Sequence, residues 1–218
     1  MPVCVRPASR RVVCAAGVAL LLTAAVAASA HAQTRERLPL FAADVQGTLP
    51  RLPTDATIAA TRGLTAAELP GWGPGFNLAA HVYPLRGRWV ALGVGGNYQW
   101  ARGTATGEAI DAATVTTKYT AFAPQVSANF GHKRGWSYIS AGIGSTTLTV
   151  SSSAIGDEPG VGVKTINYGG GGRWFVRPHL AFSFDLRIYA MNPVEQDALN
   201  GGHPRLNIVA MNIGVSFQ

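Results

Sequence analysis

The sequence predicts an all-β fold, an eight-stranded antiparallel up-and-down transmembrane β-barrel. Three observations predict it. Eight segments of about ten residues alternate apolar and polar side chains, short and long connections follow one another, and charged residues make up only 13% of the 218 residues. Alternation with period two places different side chains on the two faces of a strand. Soluble domains carry about 25% charged residues, so this chain has few groups suited to bulk water.

Residues 1–32 precede the alternating segments and have the pattern of a cleaved signal peptide. A basic start is followed by an apolar run over 12–28 and by the small residues Ala30 and Ala32, as signal peptidase requires. The alternative, a retained membrane anchor, is disfavoured because the run is short for a spanning helix of about 20 residues. We therefore expect residues 33–218 to form the barrel domain after export.

The first four predicted strands cover residues 40–49, 75–85, 88–101 and 119–130. One face of each strand is large and apolar: Phe41 and Val45, Phe76 and Leu78, Val90 and Leu92, Phe122 and Val126. The other face is small or polar: Asp44 and Gln46, Asn77 and His81, Asn97 and Gln99, Gln125 and Ser127. Each strand alone is a weak signal, but their number and consistent phase make the pattern strong.

The last four predicted strands cover residues 136–147, 164–175, 180–189 and 205–217. In the first of them, Ile139 and Ile143 share a face while Trp136 and Tyr138 have the opposite phase, which suggests a bulge or an interface position. The next contains the run Gly169–Gly172, where glycine leaves space for neighbouring large side chains. Strand 180–189 has the cleanest alternation of the eight.

The connections alternate in length around the predicted barrel. Short ones cover residues 84–87, 131–135 and 176–179; long ones cover 50–74, 102–118, 148–163 and 191–204. Tight turns at one end and long loops at the other describe an up-and-down barrel, with short periplasmic turns and long outer loops when it lies in an outer membrane.

The distribution of charge favours a membrane over water around the barrel. The alternative is a soluble eight-stranded barrel, which needs charged side chains on its outer face. Here the charged residues inside strands, Asp44, Arg173, Asp185 and Arg187, all fall on the small, polar face. Together with His81 they form a predicted ionic network in the lumen, since buried charges must be paired. The alternative is a gate or a proton-sensitive constriction at His81, because histidine changes its charge near neutral pH.

Aromatic residues near the strand ends predict the two edges of a lipid-facing band, because Trp and Tyr concentrate at membrane–water boundaries. Ordinary core aromatics are the alternative interpretation. The expected interface set is Tyr83, Trp89, Trp100, Phe122, Phe130, Trp136, Trp174 and Phe217.

The alternating final strand, residues 209–217, ends in Phe217 one residue before the last, Gln218. With the pattern of residues 38–218, it resembles the small outer-membrane β-barrel family that includes OmpA-type and OmpX-type domains. The resemblance implies a porin-like monomer in the outer membrane of a Gram-negative-type cell, surrounded by outer-membrane lipid. It also implies that the barrel assembly machinery reads the C-terminal strand.

The expected function is a structural or surface-interaction role, with a filled lumen and an extracellular ligand at the long loops. Alternatives are a lipid-modifying hydrolase, a narrow passive pore and a soluble periplasmic barrel. Hydrolase candidates are serines and histidines without a spacing signature: Ser127, Ser183, His81, His132, His179 and His203. We predict no enzyme activity, cofactor, metal site or nucleic-acid partner, because no motif or basic cluster indicates one.

Overall fold

The computed structural model describes residues 39–107, 113–132, 135–153 and 156–218. Antiparallel strands form one closed sheet in which each strand pairs with its neighbours in sequence and the last pairs with the first. The strands are β1 (Phe41–Pro50), β2 (Gly75–Arg86), β3 (Val90–Thr106), β4 (Thr114–His132), β5 (Gly135–Ser152), β6 (Gly162–Arg177), β7 (Leu180–Met191) and β8 (Leu206–Phe217). The predicted all-β, eight-stranded barrel is confirmed. The predicted signal peptide lies outside the described residues.

Successive side chains of each strand point alternately into the barrel and out of it. On β7, Ser183, Asp185 and Arg187 are buried inside, whereas Phe182 and Leu186 on the outside are 45% and 43% exposed. A shift of one residue in strand pairing would exchange the two faces, so this segregation specifies the register. The protein therefore has a polar interior and an apolar exterior, the reverse of a soluble domain.

The hairpin of β3 and β4 is longer than the sequence predicts. The expected connection over 102–118 is mostly strand, and pairing continues to Thr106 opposite Thr114. Threonine outside and the buried residues Val115 and Tyr119 inside give little apolar–polar contrast there, although β-branched residues favour strands. Interpreting this segment as a loop was therefore wrong.

Strand β5 needs no bulge to accommodate its aromatic residues. Trp136 and Tyr138 point inward, while Ile139 and Ile143 on the opposite face are 60% and 55% exposed. The β4–β5 and β5–β6 pairings keep one register along the whole strand. The side chains of β5 therefore alternate regularly between inside and outside. The pattern looks irregular in the sequence because both faces of this strand carry large residues.

Glycines of β6 allow the backbones of the neighbouring strands to approach closely. Gly171 pairs with Tyr138 on one side and with Asp185 on the other. A Cβ at Gly171 would lie 2.9 Å from the Asp185 Cα and closer still to the Phe184 carbonyl oxygen. The outward Gly172 lies under the Trp174 ring. A Cβ at Gly172 would be 3.4 Å from the Trp174 Cη2. The expected space for Trp174 is present, whereas a Cβ at Gly171 would meet backbone atoms of β7 and not a charged side chain.

The long loop between β1 and β2 is ordered. It contains a short helix, α1 (Ala56–Ala60), which begins where the Asp55 side chain accepts a hydrogen bond from the Thr57 backbone N–H at 2.8 Å. A 3₁₀ turn (Ala66–Glu68) follows. No helix in the described ranges is long and apolar enough to cross a membrane.

Candidate functional site

An ion pair between β1 and β6 crosses the lumen near the short-turn end. Arg173 Nε and Nη2 donate to the two carboxylate oxygens of Asp44 at 3.0 and 2.6 Å, and both side chains are almost fully buried. Arg173 Nη1 also donates to the Asn129 Oδ1 at 3.3 Å. The guanidinium lies 4.3 Å from the centre of the Tyr138 ring. This bidentate geometry is the strongest arrangement for an arginine and a carboxylate.

A second ion pair lies beside the first, on β7. Arg187 donates to both oxygens of Asp185, at 3.1 and 2.9 Å, and also to the Ser140 Oγ at 3.0 Å. Asp185 further accepts from the Tyr138 hydroxyl at 2.9 Å and from the Asn212 amide at 3.0 Å. Tyr138 thus joins the two pairs, with its ring against one arginine and its hydroxyl on the other carboxylate.

His81 lies in the same part of the lumen but outside these hydrogen bonds. It is buried, and its ring stacks on Tyr83 at 6.5 Å with an interplanar angle of 9°. Neither ring nitrogen has a hydrogen-bond partner among the described residues. The structure therefore brings together Asp44, Arg173, Asp185 and Arg187, and places His81 next to them as a stacking partner.

Side-chain amides fill the middle of the lumen. Asn97 accepts hydrogen bonds from Gln125 and Asn167, at 2.7 and 3.2 Å, and donates to the Tyr189 hydroxyl at 2.6 Å. Tyr189 in turn donates to Gln99 at 2.6 Å. The sequence indicates polar residues on this face, but pairing between distant strands leaves no spacing signal for these partners.

Apolar side chains close the long-loop end of the lumen. Leu52, Ile58 and Leu69 from the β1–β2 loop pack with inward residues of the strands, such as Val150 and Ile208, and all five are at most 5% exposed. The loop therefore caps the polar interior with a small hydrophobic core.

A buried ion pair fastens three long loops together above this core. Arg62 Nη2 donates to both oxygens of Glu158 at 2.7 and 2.9 Å, and Nη1 donates to the Gly202 carbonyl at 3.1 Å. Glu158 also accepts from the backbone N–H groups of Gly201 and Val150 at 2.6 and 3.1 Å. We call Arg62 and Glu158 the loop clasp. Sequence reasoning missed it, because two single charges in separate loops carry no pattern.

The predicted interface aromatics divide between the two faces. Trp89, Phe122, Phe130, Trp174 and Phe217 are between 42% and 59% exposed on the outside. Trp100 is partly covered there and stacks on Phe76, with ring centres 5.8 Å apart.

Tyr83 and Trp136 are corrections to that prediction. They are 0% and 3% exposed inside the barrel, where their rings meet edge to face at 5.9 Å. The reason is parity: each shares its face with inward residues such as His81 and Tyr138, and nearness to a turn does not change the face.

The hydrolase candidates have contacts of other kinds. Ser183 accepts from the Gln46 amide at 3.0 Å, and Ser127 accepts from the Asn129 amide at 3.2 Å, both inside the barrel. His203 Nδ1 lies 2.8 Å from the Pro204 carbonyl oxygen in a long loop. Among the described residues, no three His, Cys, Asp or Glu side chains are grouped as metal ligands.

No protein-family model matches the sequence, and no curated protein does. Several solved structures are similar in fold, among them the following two. Neisserial surface protein A is 11% identical with a TM-score of 0.54, over 84% of this chain and 99% of that one. Ail, the attachment invasion locus protein of Yersinia pestis, in complex with the heparin analogue sucrose octasulfate, is 15% identical with a TM-score of 0.52, over 81% of this chain and 96% of that one. The chain shares the barrel fold of these proteins.

Proposed function

We propose that this chain is an integral, monomeric outer-membrane protein, with its short turns in the periplasm and its long loops outside the cell. The observation that carries the proposal is the absence of charged side chains from the middle of the barrel's outer face, among the described residues. On the described strands, outward charges occur only toward the ends, at Arg102, Lys118 and Lys164 on the long-loop side and at Arg177 on the short-turn side. An apolar outward band of this kind is what a bilayer requires, because an arginine or lysine at the midplane costs about 2–4 kcal/mol.

Two sets of exposed aromatic residues support this placement. Trp89, Phe130, Trp174 and Phe217 lie on the outside near the short turns, and Phe122 and Trp100 lie nearer the long loops. These are the expected contacts with lipid at the two boundaries. We further expect signal-peptide cleavage after Ala32, and recognition of β8, which ends at Phe217, by the barrel assembly machinery.

The contents of the lumen favour a closed barrel over a narrow pore. Ion pairs, amides and the apolar cap follow one another from the short-turn end to the long-loop end. An eight-stranded barrel is just wide enough for side chains to fill it. The hydrolase alternative requires a serine–histidine pair at the outer rim, whereas Ser127 and Ser183 lie inside and bond to amides. We therefore assign the function to the long loops.

A cationic pocket on the extended β3–β4 hairpin is the candidate ligand site. Arg102 and Lys118 are direct cross-strand partners on the outer face, and a pocket of about 430 Å³ beside them is also lined by Thr116, Ser151 and Asp157. Like charges directly opposite each other are unfavourable, and a bound anion would relieve the repulsion. Ail, with the same fold, is known in complex with a sulfated heparin analogue. We propose that this pocket binds a sulfated or phosphorylated polysaccharide.

Two experiments test the proposal. After cell fractionation, the protein should be in the outer membrane and should migrate differently on gels with and without boiling; recovery from the soluble periplasm refutes insertion. Binding to immobilised heparin should weaken severalfold in Arg102→Gln/Lys118→Gln. The matched control, Arg51→Gln/Arg205→Gln, removes two exposed cations outside the pocket. Equal losses in both variants would refute a specific site.

A further inference from the structure

Asn200 is the only asparagine in the sequence that is followed by glycine. It lies in the long loop between β7 and β8, next to the loop clasp, and is 5% exposed. In such a pair the backbone nitrogen of the glycine can attack the asparagine side-chain amide with little hindrance, because glycine has no Cβ. Asn200 and Gly201 therefore carry the two groups that can close a succinimide ring.

The attacking nitrogen, that of Gly201, is hydrogen-bonded to a carboxylate. Its N–H donates to Glu158 Oε1 at 2.6 Å, and Glu158 is the acidic partner of the loop clasp. The Glu158 side chain is 7% exposed, so little water competes for this contact. A base within hydrogen-bond distance of the proton to be removed meets the geometric requirement for general-base catalysis.

The side-chain amide of Asn200 is held at both of its polar atoms. Its Oδ1 accepts a hydrogen bond from the Gly202 backbone N–H at 2.7 Å, and its Nδ2 donates to the Pro159 carbonyl oxygen at 3.1 Å. Negative charge develops on Oδ1 when a nitrogen attacks the Cγ. A backbone N–H aimed at that oxygen stabilises the charge, as the donors of an oxyanion hole do.

The Arg62 guanidinium adds a positive charge at the same place. It donates to the Gly202 carbonyl oxygen at 3.1 Å, and a Cβ at Gly201 would lie 2.8 Å from the Arg62 Cζ. The guanidinium therefore lies directly against Gly201. A cation there stabilises the negative charge of the attacking nitrogen and of the tetrahedral intermediate.

We infer that Asn200 and Gly201 form a self-modifying site, at which Asn200 is converted to aspartate or isoaspartate without a separate enzyme. The Gly201 nitrogen loses its proton to Glu158 and bonds to the Asn200 Cγ. The Cγ–Nδ2 bond then breaks, and the amide nitrogen takes the proton and leaves as ammonia. Water opens the succinimide at either of its carbonyl carbons. The inference does not depend on membrane insertion, because all these groups lie in loops and at their junctions with the strands.

The new carboxylate opens the loop clasp. It has no N–H to donate to the Pro159 carbonyl oxygen, and it lies in a buried place next to the N–H group that bonds Glu158. A second carboxylate beside a buried first one is unfavourable, as is a buried charge without a partner. In isoaspartate the main chain also gains one carbon atom, which displaces Gly201 from Glu158. The reaction is therefore an irreversible release of the long loops.

The test compares conversion of Asn200 in the folded and the unfolded chain. The full mature chain is incubated at neutral pH in detergent micelles or in urea, and peptides are analysed by mass spectrometry and with protein isoaspartyl methyltransferase. A positioned general base contributes about 10²–10⁴-fold, so the folded chain should convert Asn200 about 100-fold faster than the unfolded chain. Equal or slower conversion in the folded chain would show that the loop protects Asn200, and overturns the inference.

Glu158→Gln distinguishes catalysis by the loops from restraint by them. It removes the base, so conversion should fall toward the rate in urea; loops that only restrain Asn200 would instead be loosened, and conversion would rise. A rate that is unchanged or higher therefore overturns the inference. The matched control is Glu195→Gln, an exposed position in the same loop as Asn200, which should convert at the wild-type rate. Migration on unboiled gels checks that each variant is folded.

Asn200→Asp tests the consequence of the reaction, because it places the product's carboxylate in the loop from the start. Proteinase K should cleave the long loops of this variant faster than those of a freshly folded wild-type chain, with the strands still protected. An aged wild-type chain should resemble the variant. Cleavage at the fresh wild-type rate in both would overturn the release of the loops.

Discussion

Asp44→Asn should destabilise the barrel strongly, because it leaves the Arg173 guanidinium buried without its counter-charge. Arg173 is 1% exposed and makes two hydrogen bonds to Asp44, one to Asn129 and a stacking contact with Tyr138. The last two contacts carry no formal negative charge. Breaking a buried pair from one side typically costs about 3–5 kcal/mol, and we expect a value in this range.

The double variant Asp44→Asn/Arg173→Gln separates the cost of an unpaired charge from the loss of the contact. Removing both charges leaves polar side chains that can bond to each other and to Asn129, so the double variant should cost less than the sum of the two single ones. Asp55→Asn is the matched control: it makes the same change at an exposed helix cap, where asparagine serves as well as aspartate.

The assay is reversible urea unfolding from phospholipid vesicles, followed by tryptophan fluorescence. A cost below about 1 kcal/mol for Asp44→Asn, or additive costs in the double variant, would refute the reasoning. Either result would mean that water or a moved side chain satisfies Arg173 when Asp44 is absent.

Three further perturbations test other parts of the structure. Glu158→Gln should loosen the loop clasp and speed cleavage of the long loops by proteinase K in vesicles, with the strands still protected, whereas Glu195→Gln in an exposed loop should not; equal cleavage would show that the clasp does not hold the loops. Gly93→Ala should lower the free energy of urea unfolding by about 1–3 kcal/mol, because its Cβ would lie 2.6 Å from the Tyr83 Cε1. Gly47→Ala is the control: the nearest atom to a Cβ there is 3.8 Å away, so the loss should be less than about 0.5 kcal/mol. Val126→Arg, at the middle of the outward band, should cost about 2–4 kcal/mol and Val176→Arg, at the short-turn rim, about 0–1 kcal/mol; similar costs would mean that Val126 does not face hydrocarbon.

Alternation predicted most of the fold because a barrel imposes one rule on every strand. Phe182 and Val126 point outward, whereas Asp185 and Gln125 point inward. In each strand the face follows from whether the residue number is odd or even, which can be read directly from the sequence. The prediction of the interface aromatics was wrong at two residues for which the position near a turn was given more weight than the alternation of faces. Tyr83 and Trp136 were placed at the lipid boundary because they flank turns, yet each shares its face with inward residues.

The partners within the site were less predictable than its members. Asp44 and Arg173 are recognisable as lumen charges, but their pairing across 129 positions depends on closure of the barrel and on the length of the arginine side chain. Tyr138 joins the two ion pairs although its sequence neighbours gave it an ambiguous phase. The loop clasp depends on the conformation of three loops, for which alternation carries no information.

The polar interior and apolar exterior also determine which residues contribute to the free energy of unfolding. If the barrel spans a bilayer, as we propose, hydrocarbon surrounds outward residues such as Val126 and Ile139, so packing them against one another gains little hydrophobic free energy. Backbone groups are satisfied by strand pairing in any closed barrel, whatever its side chains. Differences in stability between sequences with this fold must therefore arise mainly from the lumen and the cap. There, a lost charge such as that of Asp44 has no bulk solvent to replace it, and we therefore expect a substitution that leaves one partner of an interior ion pair unpaired to be strongly destabilising.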